Sequence, residues 1–150
     1  MTTTDGSEIR RLCSEGKYAD AVRLIGDLES VGQVSAGLLV QKAMCLQLLE
    51  DGSLEETEET FKTALALEPD SLEALIEYAW YNLNVKDDAA AADELFQRAL
   101  RLQSRVNTEI LTGLLKCRRE LTPSVSPEHA LAGIRPCLFE ESKVREDLLR

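Results

Sequence analysis

Gly52–Asp70 reads GSLEETEETFKTALALEPD, and this stretch decides the fold. Gly52 leaves a turn, Ser53 is placed to cap a helix, and Glu56, three residues on, can reach back to complete a capping box. Thr57, Phe61 and Ala64 then fall four and three apart on one helical face. They form a small, large, small stripe that must pack against another helix. Pro69 follows Leu65 and Leu67, ends the helix, and biases Glu68 away from helical geometry before Ser71 opens the next one.

The stripe recurs upstream as Ala21, Ile25 and Leu28 and downstream as Ala92, Phe96 and Ala99, then again as Ala130, Ile134 and Cys137. The large residues Ile25, Phe61, Phe96 and Ile134 are spaced slightly wider than the about 34 residues of a helix–turn–helix repeat, so short insertions are expected in the turns. Four units fill the chain, at about 5–33, 36–70, 71–104 and 107–140, in one domain spanning 1–150.

Composition agrees. The 150 residues are 44% apolar, enough for a sizeable core, and only 5% aromatic. Ala and Leu are abundant while Gly and Pro keep to turn-like places, which favours helix over sheet. An all-α chain follows.

A net charge of −10 with scattered Lys and Arg argues against binding nucleic acid through phosphates, and equally against acidic membranes. An acidic surface aids solubility and steers basic partners. Cys13, Cys45, Cys117 and Cys137 are far apart in sequence and mostly fall on apolar helical faces, so buried reduced thiols are expected. His129 is the only histidine, and no closely spaced ligands suggest a metal site. The start, MTTTDGSEIRR, has no apolar stretch after a basic segment, and no run approaches the about 20 apolar residues of a membrane span. A reducing cytoplasmic setting is expected, with no cofactor.

In chain order, a short first helix runs from about Ser7 to Glu15 with Ile9 and Leu12 inward, and Gly16 makes the turn. Its partner spans Tyr18 to about Ser30, with Val22, Leu24, Ile25 and Leu28 available to the core. After a loop at Val31–Ser35, the third helix, Ala36 to about Glu50, is apolar nearly all round, which predicts the most buried element. Its partner, the helix opened by Ser53, carries Glu55, Glu56, Glu58 and Glu59 on the opposite face. Acid near a helix start is favoured by the dipole, so this is first a solvated face and second a contact for a basic ligand.

The next helix, Ser71 to about Val85, points Leu75, Ile76, Ala79, Trp80 and Leu83 inward, and Asp87–Asp88 turns the chain into Ala89–Leu102. Four consecutive alanines permit close approach to a neighbour. Asn107 is placed to cap a helix to about Glu120, presenting Ile110, Leu111, Leu114, Leu115 and Cys117. Then TPSVSP lengthens a turn, Ser126 can cap with Pro127 at the first helical position, and Pro136 predicts a kink or early stop. The tail, 138–150, can form a capping helix over the exposed end of a stack.

These motifs resemble the tetratricopeptide repeat family over most of the chain, most closely from Ala36 to Leu102. In the family's first helix a large residue, a leucine, a glycine and an aromatic recur at fixed spacing. Here those places read Gln41, Met44, Cys45 and Leu48, and then Ile76, Ala79, Trp80 and Leu83. Cys45 and Trp80 replace the small residue that the family prefers for close packing.

The resemblance implies a right-handed superhelix of antiparallel helix pairs, an α-solenoid with three clear repeats, a degenerate fourth and a C-terminal capping helix. The first helices of such pairs line a concave groove that binds a peptide or helix of another protein. Carried onto this sequence, the groove positions are Leu39, Lys42, Leu46 and Leu49, then Ala74, Glu77, Tyr81 and Asn84, then Thr108, Leu111, Leu115 and Arg118. Lys42, Glu77 and Arg118 would fix a ligand's direction through charge-assisted hydrogen bonds, with Tyr81 as anchor. The competing reading of the same leucines is packing between neighbouring units, or cover by the tail helix. Of the paired Lys and Asn with a further Lys and Arg that hold chaperone C-termini in this family, only Lys42 matches in place.

The function implied is a non-catalytic scaffold or adaptor. The alternative is a dedicated binding chaperone or inhibitor of one partner protein, since secretion chaperones of similar repeat type are also short and acidic. An enzyme is not expected. There is no glycine-rich phosphate loop, the carboxylates sit on solvated faces, and His129 lies beside Glu128 near a helix start, where a surface or capping role suffices.

Overall fold

The computed structural model describes residues 2–102 and 108–130. These residues form helices and no strand: α1 (Thr2–Ser14), α2 (Tyr18–Ser30), α3 (Ala36–Leu48), α4 (Leu54–Leu67), α5 (Leu72–Asn84), α6 (Ala89–Arg101), α7 (Thr108–Leu121) and a single turn, α8 (Pro127–Ala130). The first helix begins earlier than its polar composition suggested. The chain divides into two compact units, with the boundary inside α5 between Ala74 and Leu75.

In the first unit each helix packs on the next, α1 on α2, α2 on α3 and α3 on α4. The turns follow from local chemistry. Gly16 and Gly32 adopt φ of 74° and 72°, the left-handed region that glycine enters without strain. Ser35 and Ser53 cap α3 and α4 by accepting from the N–H groups of Leu38 and Glu56. Only half of the expected capping box forms. The Glu56 carboxylate lies 3.7 Å from Lys42 Nζ on α3, so it is drawn to a cation and away from Ser53. Glu68 leaves helical geometry at φ −134°, ψ 89°, as the following proline requires.

The repeated stripe is where the core sits. Ala21, Ile25 and Leu28 are buried on α2, and Thr57, Phe61 and Ala64 on α4. Thr57 tolerates burial because its hydroxyl donates to the Ser53 carbonyl, one turn back, at 2.8 Å. The expectation for α3 needs correction. Leu39, Val40, Ala43, Cys45 and Leu46 are buried, but Met44 and Leu48 are 42% and 60% exposed. Flanked by α2 and α4, α3 keeps an outer strip, and apolar residues on that strip do not become core by being apolar.

In the second unit α6 packs on α7, and α7 on α8. Asp87 turns the chain at φ 56°, and Asp88 caps α6 by accepting from Ala91 N–H. Ala92, Phe96 and Ala99 are wholly buried on α6, matching the stripes on α2 and α4. Of the four alanines, Ala89 and Ala92 face inward. Ser126 caps α8 through His129 N–H, as its place before Pro127 suggested. Ala130 is buried. Asn107, Ile134, Pro136, Cys137 and the tail helix at 138–150 lie outside the described residues.

Candidate functional site

The positions drawn from the resemblance divide into buried and accessible groups. In the first unit Leu39, Leu46 and Ala74 are buried, Leu49 is half-buried just past the end of α3, and Lys42 is 13% exposed. In the second unit Tyr81, Leu111 and Leu115 are buried, Glu77 and Arg118 are half-buried, and Asn84 and Thr108 are exposed at helix ends. Leu39, Leu46, Leu111 and Leu115 are thus core residues, in line with the competing packing reading. Tyr81 corrects the expectation of an anchor on an open surface. Its ring is enclosed and lies 6.3 Å from that of Tyr78 one turn back, so no partner reaches it in this conformation.

Two of the charges expected to orient a ligand are engaged within the fold. Lys42 Nζ lies 2.7 Å from Glu29 Oε1 and 3.7 Å from Glu56 Oε1, bridging α2, α3 and α4. Arg118 Nε donates to Asp93 Oδ2 at 3.0 Å, and its Nη1 donates to the Ala130 carbonyl, tying α7 to α6 and α8. Asp93 also accepts from Gln97 through Oδ1. A side chain removed from water needs such partners, and here internal acids supply them.

Sequence reasoning missed Asp93, a nearly buried acid within the apolar face of α6. Its signal is its place beside Ala92 and three residues before Phe96, where a solvated acid has no room. Gly113 was missed as well. A glycine in mid-helix marks a close approach, and Phe96 fills the space where its side chain would be.

Trp80 is the largest side chain to depart from its expected place. Expected inward, it is half-buried: its ring meets Phe96 edge-on at 5.1 Å, and its Nε1 donates to Glu109 at 3.1 Å. Lys116 Nζ lies 5.3 Å from the ring centroid, a cation on an aromatic face. An indole with one polar atom satisfies it better at a rim than in a core.

The acidic face of α4 is solvated at Glu55, Glu56 and Glu59, with Lys62 3.4 Å from both Glu58 and Glu59. His129 is exposed, with Nδ1 2.8 Å from Ser126 Oγ. Among the described residues no cluster of three His, Cys, Asp or Glu could hold a metal ion, and no helix is long and apolar enough to cross a membrane. Among the described residues the thiols are free, with Cys45 and Cys117 buried and Cys13 half-buried. Cys13 and Cys45, remote in sequence, meet with their sulfurs 3.4 Å apart.

Set against models of known protein families and against curated proteins, the chain matches none. The class that the fold defines is an all-helical protein whose adjacent helices pack in pairs.

Proposed function

We propose that the protein is a non-catalytic scaffold of the tetratricopeptide kind, an α-solenoid of helix pairs that holds a peptide or helix of another protein in the cytoplasm. The observation that carries this reading is the stripe on α2, α4 and α6. Ala21–Ile25–Leu28, Thr57–Phe61–Ala64 and Ala92–Phe96–Ala99 are all buried, in one register. A stripe that recurs at a nearly constant period supports the reuse of one structural unit, and such units serve as extended recognition surfaces.

Each unit offers accessible positions on the first helices of its pairs where a partner makes contact, Leu49 in the first and Glu77, Asn84 and Thr108 in the second, while Lys42 and Arg118 are held by internal acids. The buried leucines hold those helices in place. The acidic surface favours a partner segment carrying basic residues.

The test is capture from the host lysate by the wild-type chain and by Asn84→Arg and Thr108→Arg, which add bulk at exposed positions without touching the core. One protein held by wild type and lost by both folded variants supports the reading. Unchanged capture by both overturns the placement of the site. A partner that is insoluble without this chain makes the protein a dedicated chaperone, whereas a partner stable alone makes it an adaptor.

A further inference from the structure

Cys45 lies on α3 in a buried cluster with Leu12 and Ala21, and Cys13 of α1 packs against that cluster beside Tyr18 and Val22. The two residues are 32 positions apart in sequence, yet their sulfurs are 3.4 Å apart. A disulfide holds its sulfurs at about 2.05 Å, so the pair stands roughly 1.4 Å short of a bond. We propose that Cys13 and Cys45 form a reversible intramolecular disulfide, with hydrogen peroxide as the oxidant, that staples α1 to α3.

The two cysteines are unequal in a way that orders the chemistry. Cys13 is half-buried and reachable by a molecule as small as peroxide, whereas Cys45 is 3% exposed. Burial, and then the contact with Cys13, raise the pKa of Cys45, so it keeps its proton and does not compete for the first attack.

In the first step the Cys13 thiolate attacks one peroxide oxygen and the O–O bond breaks. Cys13 becomes a sulfenic acid, and the departing hydroxide takes up the proton that the thiol released, giving water. In the second step the Cys45 sulfur attacks the Cys13 sulfur and the S–O bond breaks. The leaving hydroxide carries away the Cys45 proton as a second water. Two thiols are oxidised by two electrons and one peroxide is reduced to two waters. A small thiol such as glutathione reverses the bond by exchange, releasing both cysteines and forming glutathione disulfide.

The bond links segments remote in sequence, so it restricts the unfolded chain and leaves the folded one nearly unchanged. The first unit therefore gains heat resistance under oxidising conditions. Cys117 on α7 is wholly buried and does not meet the oxidant first.

The test treats the reduced full chain with hydrogen peroxide, blocks remaining thiols with N-ethylmaleimide in denaturant, and maps the peptides by mass spectrometry. The expected result is a peptide pair joined through Cys13 and Cys45 within one chain, with Cys117 carrying the maleimide. The Tm rises on oxidation and returns on adding dithiothreitol. Cys45→Ser, which cannot close the bond, accumulates a sulfenic acid on Cys13 that dimedone traps. Three results overturn the proposal: both cysteines labelled by maleimide; Cys13 driven to sulfinic acid while Cys45 stays a thiol; or either one bonded to Cys117, Cys137 or a second chain. The mapping is done on the wild-type chain, so its outcome does not depend on a variant folding.

Discussion

The ring of Phe96 on α6 lies across the backbone of Gly113 on α7, so that a β-carbon at position 113 would overlap ring atoms Cζ, Cε1 and Cε2. Phe96 is wholly buried and is met on another side by the Trp80 ring, 5.1 Å away and nearly perpendicular, so it has little room to yield. One glycine therefore sets how closely α6 and α7 approach.

Gly113→Ala tests that contact because two effects oppose each other. Alanine is the better helix former by about 1 kcal/mol, whereas forcing a methyl into a filled core costs about 1–3 kcal/mol. Because the ring has little room to yield, overpacking wins, and urea denaturation should show a net loss of about 1 kcal/mol, and at most about 2 kcal/mol, for the variant. In a Phe96→Leu background the ring is gone and the same substitution should cost less. A variant more stable than wild type would mean that the ring does not sit on the glycine.

Arg118 and Asp93 make a pair that is costly to break from one side. The Asp93 side chain is 11% exposed and Arg118 supplies its charged partner. Arg118→Met keeps the packing stem but leaves the acid with Gln97 alone, at an expected loss of about 3 kcal/mol. Asp93→Asn in the same chain should recover part of that loss, because the uncompensated charge is removed. Chemical denaturation of the two single variants and the double variant measures the coupling.

Lys42 should behave more gently. Glu56 is exposed and Glu29 half-buried, so both can turn to water when the ammonium is lost. Lys42→Met is expected to cost about 1 kcal/mol or less, whereas Lys42→Glu places three acids together and should cost more. Raising the salt concentration should narrow the gap between the two, since screening weakens repulsion among partly exposed charges.

The buried thiols give a pH dependence with a definite sign. Burial first, then the Asp93 and Glu120 carboxylates, push Cys117 up from the ordinary 9.0 to about 12. Below the unfolded value both states hold the proton and the contribution is complete. As pH rises through about 9 toward 12, the unfolded chain releases a proton that the folded chain keeps, so stability falls by up to about 1.4 kcal/mol per pH unit. Wild type should lose stability relative to Cys117→Ala between about pH 9 and 11, while at pH 8 iodoacetamide should label Cys13 well before Cys117. Equal labelling rates would contradict the burial.

The helices and their stripes were legible because side chains spaced four and three apart must share a face, and Phe61 and Ala64 have no polar side-chain atom that water would hold. The helix ends were legible too, since Ser53, Pro69 and Asp88 act on the backbone within a few residues. Tertiary partners were not legible. Met44 and Leu48 look like core residues, and only the placement of α2 and α4 leaves them outside. Lys42 and Arg118 look like free charges until Glu29 and Asp93, distant in sequence, fold against them. The meeting of Cys13 with Cys45 depends on the placement of α1 against α3, which no local pattern encodes.

The measurement that tests the proposed scaffold most directly is hydrogen exchange of the chain with and without a protein isolated by the lysate capture. A scaffold that binds along the first helices of its pairs predicts slower exchange in α3, α5 and α7 on adding the partner, with α2, α4 and α6 little changed. Protection confined to α4, beneath its Glu55–Glu59 face, would contradict the account and move the binding surface to the second helices.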